Sequence, residues 1–126
     1  MVRYAYNQQV VPPAPFVHVT VRSPQEGADG IVVPAQIDTA ADLTVIPGQF
    51  VEILRLAPLG SVSAVGLVGH SMTLPTLLSR APGQGSWSGH GHVIASDDEP
   101  YVLLGRDVLN RFTIMLDGPN RTVAVR

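Results

Sequence analysis

Asp38 and Asp42 stand four positions apart in "AQIDTAADLTVIP", Ala35 to Pro47, a stretch that is otherwise mostly apolar or small. An unpaired carboxylate is costly to bury, so an aspartate inside an apolar run implies company. In a turn, Asp38 or Asp42 caps neighbouring backbone N–H groups, which accounts for Asp38-Thr39-Ala40 taken alone.

A second apolar run, Tyr101-Val102-Leu103-Leu104, leads into Gly105-Arg106-Asp107, with Gly105 67 positions after Asp38. Between the two lies Val65-Gly66-Leu67-Val68-Gly69, whose glycines suit a tight, mobile hairpin tip. Other chemistry is thinner. His90 and His92, with His70 or His18, make no complete metal set and have no supporting shell. "GQGSWSGHG" lacks the Gly-Lys-Ser/Thr end of a phosphate loop. Neither a metal nor a cofactor is expected. Leu116-Asp117-Gly118-Pro119 has the composition of a turn. Asn120-Arg121-Thr122 has the form of a glycosylation acceptor, which matters only in a secreted chain.

The elements that must carry these residues follow from pattern. Residues 1–15 end in "VVPPAPF" and read as an extended arm, since consecutive prolines forbid a helix interior. Residues 16–126 read as one domain. Val17, Val19 and Val21 alternate with His18, Thr20 and Arg22, the period of a half-buried strand. "IVVPAQID" reads as a second, more fully apolar strand. "GQFVEILRLAPLG" carries a helical spacing that Pro47 starts and Pro58 and Gly60 stop. "SVSAVGLVGHSMTLPTLLS" reads as a hairpin, "RAPGQGSWSGHGH" as a Gly-rich connection into a short strand "GHVIAS", and "DDEP" as a solvated turn. A buried strand "YVLLG", a helix of about two turns in "RDVLNRF" and a closing hairpin around Asp117–Asn120 complete the chain.

Taken in order, the three motifs resemble those of the retropepsins, the retroviral-type aspartic proteases and their cellular relatives, over roughly residues 16–117. The resemblance implies an all-β fold, a closed barrel-like acid-protease half-domain of about seven strands with one or two short helices, working as a homodimer. It implies that Asp38 of each subunit is catalytic and that Thr39 reaches across the dimer axis to the opposite loop. Ala40 stands where most of the family has glycine, so its methyl group narrows the approach to the pair. Asp42 matches a carboxylate that contacts substrate main chain and pairs with the arginine matched by Arg106. The flap would be Val65, Gly66, Leu67, Val68 and Gly69; Val45, Leu67, Tyr101 and Leu103 would line apolar substrate pockets. The reaction implied is endopeptidase cleavage between apolar residues of an extended peptide or protein. The alternatives are a catalytically silent, dimeric peptide-binding module of the same fold, and a processing domain that acts only on its parent polyprotein.

Composition agrees with this frame and narrows the partners. The eight basic residues are all arginine, scattered along a chain of formal net charge −2, which argues against nucleic acid. There is no cysteine, hence no disulfide framework or thiol nucleophile. No apolar run approaches the ~20 residues that span a bilayer, and the N-terminus lacks a signal-peptide core, so the expectation is a cytoplasmic protein with no membrane partner. Only 14% of residues are charged while 45% are apolar. A small soluble domain usually carries about 25% charge, so further apolar surface is expected to be buried against a second copy.

Overall fold

The valine alternation of Phe16–Arg22 becomes a strand, β2, with Val17, Val19 and Val21 buried and His18 exposed. The structure, a computed structural model, describes residues 2–23, 27, 29–56, 60, 61, 71–80 and 88–126, with the backbone alone at 60, 61, 71–80 and 88–92. In chain order its elements are β1 (Val2–Ala5), β2, β3 (Gly30–Ile37), β4 (Val45–Pro47), α1 (Gln49–Ile53), β5 (Gly60–Ser61), β6 (Ser71–Arg80), β7 (Ser88–Ser96), β8 (Val102–Leu104), α2 (Arg106–Leu109), β9 (Ile114–Asp117) and β10 (Thr122–Val125). The chain is mostly β with two short helices among the described residues.

The larger sheet runs β2-β3-β8-β4-β7-β6-β5, and β6 pairs again with β2, so the ladder order returns on its first strand. Two pairings in it are parallel, β3 with β8 and β4 with β7. The first sets Ile37 beside Leu104 and so brings the residues after β3 next to Gly105. The core lies inside this sheet, where Val21, Ala35, Ile46, Val93, Val102 and Leu104 are among the buried members.

Several elements differ from what local pattern implies. β3 is not apolar on both faces: it pairs with β8 only over Ala35–Ile37, and Val32, beyond that contact, is 51% exposed. Pro47 closes β4 instead of opening a helix, because Pro47 lies opposite Ser96 of β7. α1 then ends at Ile53, well before Pro58; Arg55 turns the chain at φ 53°, and Leu54 and Leu56 are both buried. β7 is longer than "GHVIAS", since nine residues of it pair with β6 from Ser79↔Ser88 to Ser71↔Ser96. α2 is a single turn, followed by the tighter bonds Arg111 N–H to Val108 O and Phe112 N–H to Leu109 O. The base of the central hairpin is described, with Gly60 opposite Thr73 and Ser61 opposite Met72. Its tip, Val65 to Gly69, lies outside the described residues.

The segment expected to be an arm contributes β1, which pairs with β10 in a three-stranded antiparallel sheet, β1-β10-β9. This smaller sheet packs beneath the end of β3: Tyr4, Ile37, Leu104, Leu109, Ile114 and Val125 line a common apolar cavity of about 40 Å³. The β9–β10 turn is held by Asn120, whose backbone N–H and side-chain amide both donate to Asp117. Those two bonds, the side-chain one first, hold the Asp117 carboxyl below the usual carboxylate range, and Arg3 adds to the shift. A carboxyl lowered by folding contributes stability above its unfolded pKa and loses it as pH falls through its folded value. Asn120→Ala should therefore raise the Asp117 midpoint in an NMR titration. The melting difference from wild type should be present at neutral pH and shrink on acidification.

Candidate active site

Asp38 is the first residue beyond β3, and its N–H donates to Leu104 O at 3.0 Å, extending the β3–β8 pairing by one bond. The chain then turns: Ala41 N–H donates to Asp38 O at 3.2 Å, and Ala40 N–H donates to Asp38 Oδ1 at 3.1 Å. That second contact is the local cap that an aspartate makes in a turn. It uses one oxygen of the carboxylate and leaves Asp38 only half-buried, while Thr39 and Ala40 are exposed.

The loop is tied along its length to the segment that joins β8 to α2. Arg106 N–H donates to Ala41 O at 2.9 Å, and Asp107 N–H to Asp42 O at 3.3 Å. The Arg106 guanidinium donates through Nη1 to Thr39 O at 2.8 Å and through Nη2 to Asp42 Oδ1. Gly105 sits where a side chain would collide: a Cβ there would lie 2.5 Å from Leu43 C, 2.6 Å from Leu43 O and 3.0 Å from Ala41 O. This glycine is needed for close backbone approach, not for its φ, which is −87°.

The Arg106–Asp42 pair is exposed, at 44% and 84% for the two side chains. An ion pair in water is worth about 0–1 kcal/mol, so its use lies in geometry, since a guanidinium reaches two acceptors in fixed directions. Arg106→Lys should cost under about 1 kcal/mol of stability, yet loosen the loop, because an ammonium cannot hold Thr39 O and Asp42 in the same fork. Amide exchange at Ala40 and Ala41, read beside the thermal midpoint, separates the two effects.

Of the substrate-pocket candidates, Val45 and Leu103 lie opposite one another on paired strands, and Tyr101 immediately precedes β8. Val45 is buried in β4, which pairs with both β7 and β8. Leu103 is half-buried in β8, and half-buried Tyr101 packs edge-on against Phe16 with ring centroids 5.0 Å apart. Val65, Gly66, Leu67, Val68 and Gly69 lie outside the described residues.

Thr44, and Asp107 of the Gly105-Arg106-Asp107 motif, take up roles that motif reasoning did not give them. Asp107 Oδ2 accepts from Thr44 N–H at 3.1 Å, and its Oδ1 accepts from Thr44 Oγ1 at 2.8 Å and Val108 N–H at 2.9 Å. Thr44, fully buried, also accepts from Gly105 N–H at 3.1 Å. A signal existed in "DLTVIP", where a polar residue stands among apolar ones as Asp38 does. Glu99 was read as part of a solvated turn. Its carboxyl is pushed up, by burial first, then by Asp98, then by Asp38. Among the described residues no group of three or more His, Asp or Glu side chains is arranged to hold a metal.

No protein-family profile and no curated protein matches this chain. Solved structures do. The protease of EIAV, solved with the inhibitor HBY-793, superposes with a TM-score of 0.54 at 21% identity, covering 86% of this chain and 93% of its own. A retropepsin-like aspartic protease from Rickettsia conorii gives 0.61 at 13% identity over 98% and 88% of the two chains. The fold is retropepsin-like. The retroviral protease-like domain of Ddi1 from Leishmania major has the same likeness, with a TM-score of 0.51, 17% identity and 87% of each chain covered. At these identities the likeness is one of fold. It leaves the chemistry of the retropepsin-like chain to be argued from its own loop.

Proposed function

We propose that this chain is one half of an aspartic endopeptidase, active as a homodimer in which Asp38 of each subunit forms the catalytic pair. The observation that carries the reading is the Asp38 loop itself. It lies at the end of an internal strand of a retropepsin-like fold, is bonded to Leu104 and Arg106, and leaves its carboxylate half-exposed. A second copy supplies what a carboxylate in that setting lacks.

Two carboxylates that close do not both ionise; they hold one proton and titrate as a coupled pair. The ionised member takes a proton from a bound water as the water oxygen attacks the scissile carbonyl carbon. The protonated member donates to the carbonyl oxygen, giving a neutral tetrahedral diol. Collapse of the diol breaks the C–N bond, and a proton passes to the departing amine. Thr39 is assigned to bridging the two loops, Ala40 to backbone approach and Asp42 to substrate main chain. Val65-Gly66-Leu67-Val68-Gly69 would close over a substrate bound as an extended strand, with Val45, Leu67, Tyr101 and Leu103 lining its apolar side-chain pockets.

Incubation of the purified protein with a complex peptide library from about pH 3.5 to 7, read by mass spectrometry, tests the reading, since a dyad that must retain one proton works best on the acidic side of neutral. Cuts between apolar residues support the endopeptidase. A stable dimer that leaves every peptide intact overturns it in favour of a binding module.

A further inference from the structure

We propose that Asp107, acting through Thr44, is a positioning residue that fixes the far end of the Asp38 loop; the proposal rests on the protease reading above. The loop is held at three places. Its start is held by Asp38 N–H on Leu104 O, and its middle by Arg106 on Thr39 O, Ala41 O and Asp42. Its end is held by Asp107, whose carboxylate takes both the N–H and the hydroxyl of Thr44.

These ties are not equivalent. Arg106 and Asp42 are open to solvent, so water can take the place of either partner. Thr44 is 0% exposed, and a buried N–H and hydroxyl that lose their acceptor have no water to turn to. The Thr44 hydroxyl is used in both senses, donating to Asp107 Oδ1 and accepting from Gly105 N–H. Its C=O accepts from Ile94 N–H at 3.0 Å, which anchors the same residue to β7. One carboxylate at the start of α2 thus sets where the active-site loop ends relative to β7 and β8. Displacement of a reacting group by about 1 Å can cost a factor of about 10² in rate, so a tie at this point acts on turnover before it acts on substrate affinity.

Thr44→Val removes the hydroxyl at nearly constant volume, Thr44→Ser retains it, and Asp107→Ala removes the acceptor. Each is assayed as the purified dimer on a peptide that wild type cuts, and amide exchange over residues 38–44 is followed in parallel. The expected result is a kcat lower by about 10- to 100-fold in Thr44→Val and Asp107→Ala, with KM within about twofold. Exchange at Asp38 and Ala41 should be faster in both, and Thr44→Ser should restore kcat and protection. Thr44→Val with unchanged kcat per folded dimer overturns the proposal, as does Thr44→Ser with the same deficit as Thr44→Val. Should Asp107→Ala not fold, the valine and serine pair decides. A wild type that cuts nothing overturns the protease reading and the catalytic part of this one with it. The exchange rates still show, apart from activity, whether the tie to Thr44 orders the loop.

Discussion

Asp38→Asn should abolish peptide cleavage, by about 10³-fold or more, while leaving the fold in place. Asparagine keeps an oxygen for the Ala40 N–H, so the turn after β3 retains its local bond. It can neither take a proton from water nor hold one for the carbonyl oxygen, so both halves of the acid–base exchange fail together. The substitution also removes the one negative charge that the pair would hold where the copies meet, so the variant dimer should be no weaker than wild type. A melting midpoint within about 5 °C of wild type, with no cleavage at any pH, is the expected outcome. Residual cleavage above about a tenth of wild type would mean that Asp38 is only the cap of its turn.

Gly105→Ala should damage both stability and activity. The added methyl group meets backbone, Leu43 C and O and Ala41 O, and not the movable end of a side chain. Either β8 or the Asp38 loop must shift, and overpacking of this kind costs about 1–3 kcal/mol, a melting midpoint lower by roughly 4–15 °C. Because the atoms pushed belong to the Asp38 loop, the folded fraction should also turn over about 10²-fold more slowly if that loop carries the proposed catalytic pair. Gly118→Ala is the control: a Cβ at Gly118 meets nothing within 4 Å, so thermal midpoint and activity should stay near wild type.

The parts of this fold legible in the sequence are those with a local signature. The period of two in Val17, Val19 and Val21 marked a strand, and the apolar run before Gly105 marked the buried β8. Asp38 stood out because its neighbours are of the wrong polarity for it. What escaped notice depends on residues far apart in sequence. Thr44 and Asp107 are 63 positions apart and meet because β4, which Thr44 precedes, pairs with β8, with Val45 opposite Leu103, which no window of residues records. Pro47 reads as a helix start until Ser96 is set beside it. The N-terminal segment reads as an extended arm with no partner named, because the strand that pairs with β1, Thr122–Val125, lies at the other end of the chain. Ser88 to His90 looked like part of a flexible connection, since glycine and serine disfavour strands; pairing with β6 overrides that preference.

The central claim is that two chains make one site, and subunit mixing tests it directly. Wild type and Asp38→Asn are combined in equal amounts, left to exchange subunits, and assayed against the same total amount of wild type. If each site needs one Asp38 from each of two chains, only wild-type pairs cut, and activity falls to about a quarter. If every chain works alone, activity falls only to about a half, and the paired-aspartate account is contradicted.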